Sequence, residues 1–249
     1  PLSDGTYIAR LQARIGNETL FTQSQLTASN GHITLAPPAK IRYRDIQFTI
    51  KEIPDITYIS SGGQAIKLDV FTPANDTETS RAFAVIIHGG AFVSGTRKQG
   101  IIRDMAKQLA RRGYVAFAID YRLSTAQIGG DIFKVPLADV YRIRDEAISA
   151  YQWIQANSST YGVNRDKGVM IGFSAGGITA LNASYNSPIH PKAIISASGT
   201  IMYPTTDNPR PGSYVPYTIL THGPADKVGD SQLTLNLHNY LTPRNLTHT

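Results

Sequence analysis

The stretch with the clearest capacity for chemistry is Gly172-Phe173-Ser174-Ala175-Gly176-Gly177. It follows an apolar run at 168–172 and opens a helical pattern at 175–185. This is the strand–turn–helix setting in which G-x-S-x-G presents a nucleophile. A turn this sharp crowds the backbone, and glycine two residues either side of the serine leaves the room. The turn projects Ser174 Oγ outward and places the Ala175 amide at a helix start, where unpaired N–H groups face a developing oxyanion. A serine hydroxyl needs a base to become a useful nucleophile. The predicted chemistry is therefore acyl transfer, with Ser174 as the catalytic candidate. The competing reading is a Gly/Ser turn that merely starts a helix.

Two further segments fall at strand ends. His88-Gly89-Gly90-Ala91 follows an apolar run at 82–87. An oxyanion hole needs backbone N–H groups turned toward an empty position, which glycine permits. Gly90 and Ala91 are the candidate donors beside Ala175, and Gly89 shapes the turn. His88 reads as a side chain that fixes the loop. A phosphate cradle is the alternative, but neither G-x-G-x-x-G nor a Walker pattern accompanies the loop. Thr221-His222-Gly223-Pro224-Ala225-Asp226 follows a strand-like run at 217–221. A carboxylate there can reach over a sheet to orient an imidazole, which makes Asp226 the second catalytic candidate. Its plainer reading is a cap on the next turn.

The elements that must position these groups alternate. Strand-like runs at 41–51, 55–60, 64–71, 82–87, 114–119, 168–172, 192–196 and 217–221 are separated by helical spacing at 101–112, from Pro136 to about 158, and at 175–185. A last helix is predicted at 231–241. Residues 138, 143, 147, 151 and 154 form the inward face of the long helix. Gly113 closes the first helix, and 199–215 is a Pro-rich loop. Continuous apolar strands between helices predict a mostly parallel sheet covered on both faces, an α/β fold. Ligands bind such sheets beyond the carboxyl ends of the strands, where all three motifs fall. Residues 1–40 are more polar, with short alternating stretches at 7–11 and 32–35. They are expected to form an N-terminal extension with short strands, ahead of the main domain at 41–249.

Taken together, His88-Gly89-Gly90-Ala91-Phe92-Val93-Ser94-Gly95, the segment 113–123 with its Asp120-Tyr121-Arg122-Leu123, the Gly172–Gly177 turn and His222-Gly223-x-x-Asp226 resemble the α/β-hydrolase superfamily. The likeness covers roughly 55–241 and lies on the side of hormone-sensitive-lipase-like and acetyl-xylan or feruloyl-type carboxylesterases. It implies the α/β-hydrolase fold and a serine esterase acting on a small-molecule ester, with no metal or organic cofactor. It also implies a structural role for Asp120-Tyr121-Arg122. One departure stands out. The family pattern has a histidine after a further helix and strand, about thirty residues past its acid, whereas this sequence has 23 residues after Asp226. The domain therefore reads as C-terminally short with its last strand missing. His222 precedes the acid, His238 falls in the last helix, and His248 is penultimate. Three readings stay open: a sequence cut before its histidine, His248 as the base, or a non-catalytic hydrolase-like protein that binds a small molecule or joins an assembly. A missing last strand would leave a sheet edge for another chain to cover in an oligomer.

Composition narrows the field. With 41% hydrophobic and 17% charged residues over 249 positions, the chain can bury a sizeable core and is neither disordered nor fibrous. The absence of cysteine excludes disulfide scaffolds, thiolate metal sites and cysteine nucleophiles. The net charge of +6 is spread out, its densest groups being Arg42-Tyr43-Arg44 and Arg111-Arg112, so no nucleic-acid partner is expected. No apolar run of membrane-spanning length occurs. The chain starts at Pro1 rather than Met, which reads as a processed or cut form. Asn-x-Ser/Thr sequons at Asn17, Asn75, Asn157, Asn182 and Asn245 lean toward secretion without deciding the compartment, and Asn182 falls in a predicted packed helix.

Overall fold

The computed structural model describes residues 5–15, 18–30, 32–35, 40–210, 213–223 and 231–242. It divides into two compact units, Pro1–Asp45 and Ile46–Thr249. The first holds β1 (Gly5–Ile15), β2 (Glu18–Ser29) and β3 (His32–Leu35), joined as an antiparallel sheet in that order. The alternation at 7–11 thus belongs to a longer strand than its pattern suggests. The strand expected over 41–51 is confined to its end. Residues 42–45 turn, because the Asp45 carboxylate accepts the Ile41 N–H at 2.8 Å while the Asp45 N–H donates to the Ile41 carbonyl at 2.9 Å. A side chain that bonds the nearby backbone in this way competes with strand pairing.

The second unit runs β4 (Ile50–Ser61), β5 (Gln64–Pro73), β6 (Arg81–Ile87), α1 (Gly100–Ala110), β7 (Val115–Ile119), α2 (Leu137–Ala156), α3 (Ser158–Tyr161), β8 (Val163–Phe173), α4 (Ala175–Ser184), β9 (Ala193–Ala197), α5 (Pro204–Asp207), β10 (Tyr217–Thr221) and α6 (Ser231–Leu241). Its seven described strands lie in the order β10-β9-β8-β6-β7-β5-β4. β5 runs antiparallel to both neighbours, and β10, β9, β8, β6 and β7 are parallel. Among the described residues the sheet ends at β10. The loop expected over 199–215 contains the single turn of α5.

Both faces of the sheet are buried, which is why the central strands read as unbroken apolar runs. Phe83, Val85 and Ile87 of β6 and Val115, Phe117 and Ile119 of β7 share one cluster with Ile143, Ala147, Tyr151 and Ile154 of α2. The alternate residues Ala84, Ile86, Ala116 and Ala118 face Ile102, Ala106 and Ala110 of α1. Small side chains on that second face let α1 lie close. Ala138, expected inward, is exposed; Val140 takes the buried place one half-turn on. Each buried aliphatic or aromatic side chain contributes about 1.5–3 kcal/mol. Asn182 is 4% exposed within α4, so the folded chain does not offer that sequon to a glycan.

The functional consequence lies in the strand ends. β6, β7, β8, β9 and β10 all finish on one rim, at residues 87, 119, 173, 197 and 221, so the segments that follow them converge. The rim depends on the core beneath it. Phe117 is fully buried, with its ring edge-on to Phe83 at 6.3 Å and to Tyr161 at 5.4 Å. Phe117→Ala should lower unfolding free energy by roughly 3–5 kcal/mol, read from urea denaturation midpoints at unchanged slope.

Candidate active site

Ser174 stands between β8 and α4 with φ 52° and ψ −120°, a backbone conformation that non-glycine residues rarely adopt. Its N–H donates to the Ala197 carbonyl at 2.7 Å, and its own carbonyl accepts from Gly177 at 2.8 Å and Ile178 at 3.1 Å. The side chain does not cap the helix it begins. Ser174 is half-buried whereas Ala175 through Ser184 are buried, so the hydroxyl stands at the mouth of a closed wall. The neighbouring glycines are steric necessities. A Cβ at Gly172 would lie 2.0 Å from the Gly176 carbonyl oxygen, and one at Gly176 would lie 2.3 Å from the Ile87 carbonyl oxygen.

The loop after β6 meets this turn. A Cβ on Gly89 would sit 3.2 Å from Ser174 Cβ. The loop then bends left-handed: Gly90, Ala91 and Phe92 have φ of 111°, 51° and 66°. The Gly90 carbonyl accepts from the N–H groups of Val93 and Ser94 at 3.0 and 2.9 Å and from Ser94 Oγ at 3.0 Å. Tyr121 Oη donates to the carbonyls of His88 and Gly89 at 3.2 and 3.4 Å. In a trans peptide the N–H points opposite the C=O. With these three carbonyls drawn toward Tyr121 and the loop's own turn, the N–H groups of Gly89, Gly90 and Ala91 point the other way. Among the described residues they have no backbone acceptor, and neither does Ala175 N–H. The structure thus brings Gly89, Gly90, Ala91, Ser174 and Ala175 into one place. Asp226 and His248 lie outside the described residues. His222 follows β10 with Nδ1 2.9 Å from Thr234 Oγ1, and His238 is exposed on α6.

His88 fixes the loop from within. It is fully buried, stacks on Tyr121 with ring centroids 4.2 Å apart, and brings Nδ1 to 2.7 Å from the Gly89 carbonyl. A carbonyl only accepts, so Nδ1 carries the proton. Burial pushes its pKa below the ordinary 6.5, against smaller upward effects of the Gly89 hydrogen bond and Asp120. The imidazole is therefore neutral.

Comparison with known proteins agrees with this fold. A family model described as BD-FAE matches residues 68–195, just over half of the sequence. The chain belongs to the BD-FAE family. Among curated relatives of this BD-FAE chain, hormone-sensitive lipase of Mus musculus is 27% identical over 70% of the chain and 22% of its own length. Pyrethroid hydrolase Ces2a of Mus musculus is 29% identical over 53% and 23%, and the non-reducing polyketide synthase Preu6 of Preussia isomera is 27% identical over 58% and 7%. The chain thus spans less than a quarter of these relatives. Solved structures show the α/β-hydrolase fold: a Thermogutta terrifontis esterase, Est2, superposes with a TM-score of 0.63 at 22% identity, covering 78% of each chain. MGS-M1, an α/β-hydrolase enzyme from a deep-sea metagenome, gives 0.61 at 20% identity over 82% and 80%.

The BD-FAE fold also uses residues that motif reading passes over. Arg97 is 5% exposed and donates from Nε to Asp69 at 2.8 Å, while its two other nitrogens pair with Asp120 and Asp55. Asp120 also accepts the Arg97 N–H at 2.6 Å and Thr96 Oγ1 at 3.2 Å. One guanidinium thus ties the far end of the His88 loop to β4, β5 and the end of β7. The signal in the sequence was Asp69, a lone carboxylate inside the apolar run of β5, 2% exposed and in need of a cation. Among the described residues no group of three acidic or histidine side chains could hold a metal, and no helix is long and apolar enough to cross a membrane.

Two outcomes follow for this scaffold. Arg97→Met should destabilise the protein by roughly 3–5 kcal/mol, because three carboxylates lose their shared cation; chemical denaturation reads this directly. For His88, the unfolded chain takes up a proton near pH 6.5 while the folded one takes it up only at lower pH. The His88 contribution is thus complete above pH 6.5 and falls as pH drops toward the depressed folded value. His88→Asn should flatten that part of the stability–pH curve, read from denaturation at pH 7.5, 6.5 and 5.5.

Proposed function

We propose that this chain carries a serine carboxylester hydrolase that works through an acyl-enzyme on Ser174. The observation that carries the reading is the meeting of a strained, half-exposed serine with a loop in which the N–H groups of Gly89, Gly90 and Ala91 have no backbone acceptor among the described residues. In the proposed cycle Ser174 Oγ attacks the ester carbonyl carbon, and its proton passes to an imidazole oriented by Asp226. The oxyanion is held by the N–H groups of Ala175, Gly90 and Ala91, with Gly89 shaping their approach. The tetrahedral adduct collapses, the alcohol leaves with the proton, and water then attacks the acyl-serine by the reverse path. Preset donors aimed at the developing charge are commonly the largest electrostatic contribution to such a step. The names of relatives point the same way: a lipase, a pyrethroid hydrolase, and solved esterases, one of them an esterase of Thermogutta terrifontis phosphorylated by paraoxon.

A cleft of about 660 Å³ opens beyond the ends of β6 and β7, lined by neither Ser174 nor Gly89, Gly90, Ala91 or Ala175. It is bounded by Gly95 and Arg97 of the same loop, by Asp120 and Arg122 after β7, and by Gln64 and Lys67 at the start of β5. Small-molecule sites fall in this size range.

The test is hydrolysis of p-nitrophenyl acetate by the wild-type chain and by Ser174→Ala, followed through the full time course. Sustained turnover that falls by about 10³-fold or more in the variant, together with one-to-one inactivation by paraoxon that the variant escapes, is the expected result. Acetate release at equal rates from both proteins would overturn the assignment. A single stoichiometric acylation without turnover would instead favour the hydrolase-like binding protein.

A further inference from the structure

The cleft beyond the ends of β6 and β7 has a charge pattern that the serine site does not use. Six charged side chains line it: Lys67, Arg97, Asp120, Arg122, Asp139 and Arg142. Four of them are already paired. Arg97 is held by Asp55, Asp69 and Asp120. Arg142 pairs with Asp139 at 3.0 Å and with Glu146 at 3.1 Å. Asp139 also accepts from the Ser124 hydroxyl, and Glu146 accepts the Arg122 N–H at 2.8 Å. The side chains of Lys67 and Arg122 are left. Asp55 and Asp139 lie within their electrostatic reach, but Asp139 is taken as described and Asp55 is bonded to Arg97 and Lys98. Among the described residues neither the Lys67 ammonium nor the Arg122 guanidinium has a hydrogen-bond or ion-pair partner. Both side chains are half-buried, and none of their nitrogens is sealed off, so a guest in the cleft can reach them.

The backbone brings the two cations to one place. The Asp120 N–H donates to the Lys67 carbonyl at 2.9 Å, which sets Lys67 across from a residue two before Arg122. Gly62, in the turn between β4 and β5, leaves the guanidinium its seat, because a Cβ there would overlap Arg122 Nη1. These charges select the guest. A metal cation or an amine would be repelled by both. A neutral guest would leave both without a counter-charge. An anion supplies each with an acceptor, and carboxylate and phosphate oxygens form charge-assisted hydrogen bonds with arginine and lysine. Asp120 and Asp139 on the same lining oppose an anion, but each is covered by an arginine. With Asp55, Asp69 and Glu146 behind the lining also spent on Arg97 and Arg142, the surplus charge that faces the cleft is that of Lys67 and Arg122. A recess with low-dielectric walls strengthens such a field over what an open surface would give. The volume of about 660 Å³ has room for an organic molecule, with Ala65 and Leu123 as apolar wall beside the charges. We propose that this cleft binds a small organic anion through its carboxylate or phosphate group, held by Lys67 and Arg122 at a site that Ser174 does not line.

Saturation-transfer-difference NMR on the whole chain with benzoate, phenyl phosphate and the neutral benzamide tests this. The expected result is saturable transfer from at least one of the two anions and none from benzamide. Benzoate alone marks a carboxylate site, and phenyl phosphate alone a phosphate site. Affinity should be unchanged in Ser174→Ala, which separates this outcome from the fate of the esterase reading. It should fall about tenfold or more in Lys67→Met and in Arg122→Met, and it should fall as sodium chloride is raised to about 0.5 M. Arg122→Met keeps the backbone bonds of residue 122 to Glu146 and Arg142. Should it nevertheless fail to fold, Lys67→Met decides alone, since that side chain bonds to nothing else in the protein. No saturable transfer from either anion overturns the proposal. So does equal transfer from benzamide, binding that Lys67→Met leaves unchanged, binding that a folded Arg122→Met leaves unchanged, or binding that disappears in Ser174→Ala.

Discussion

At the turn between β8 and α4, backbone meets backbone with no room for a side-chain carbon. The Gly172 and Gly176 positions approach neighbouring carbonyls so closely that a methyl group would require one chain segment to move. That closeness holds Ser174 at φ 52° and keeps its hydroxyl off its own helix. It also presses the turn against the segment at Ile87–Gly89, so that the serine and the loop amides become neighbours. A looser turn would allow Ser174 to relax into an ordinary N-cap, with its oxygen bonded to the helix amides that the proposed oxyanion would otherwise use.

The loop after β6 has no regular structure to hold it, and three side chains substitute for one. Tyr121 takes the His88 and Gly89 carbonyls. His88 lies neutral beneath, stacked on Tyr121. Arg97 pins the loop's other end to Asp55, Asp69 and Asp120. Asp120 and Tyr121 come from the end of β7, so one neighbouring strand supplies anchors to both ends of the loop. A donor set positioned in this way needs little reorganisation as charge develops, which is the physical content of preorganisation. It also gives Asp120-Tyr121-Arg122 a reason to stand where it does without touching the reacting atoms.

Much of this was legible in the sequence because it rests on short-range rules. The strand–turn–helix around Ser174, the glycine loop after β6 and the order of alternating elements all follow from local spacing and chain order. The inward face of α2 was read correctly at Ile143, Ala147, Tyr151 and Ile154 and missed at its first turn. There Ala138 faces solvent, because the helix begins at the rim of the sheet before it reaches the core. The turn at 42–45 was not legible as such, since apolar spacing says nothing of a carboxylate that closes its own backbone ring. Arg97 was hidden for a different reason. Its partners are Asp55, Asp69 and Asp120, far apart in the chain, and no local pattern marks an ion cluster assembled from three strands. Asn182, by contrast, was legible, since it falls in a helix predicted to be packed and is buried there. A sequon marks it for the surface, while the helix turns it inward.

Strain and burial are coupled here in a way that explains why such a site sits on such a sheet. Ala91, Phe92 and Ser174 all hold φ between 51° and 66°, and each such residue costs about 1–3 kcal/mol. Net stabilities of whole domains are only about 5–15 kcal/mol. Three strained residues on two adjoining segments therefore require a surrounding structure that over-determines them. Phe92 illustrates how this is met, because its left-handed backbone drives a fully buried phenyl ring into the main cluster. Its burial, worth about 1.5–3 kcal/mol, offsets strain of the same size at the same residue. Ser174 has no such compensation in its own side chain, which is half-buried and which the proposed reaction needs at the surface. Its strain is borne instead by the ten buried residues of α4, whose packing would have to be given up for the turn to relax. The hydroxyl that faces solvent and the helix that does not are thus two halves of one constraint, and any change that loosens α4 should be felt first at Ser174.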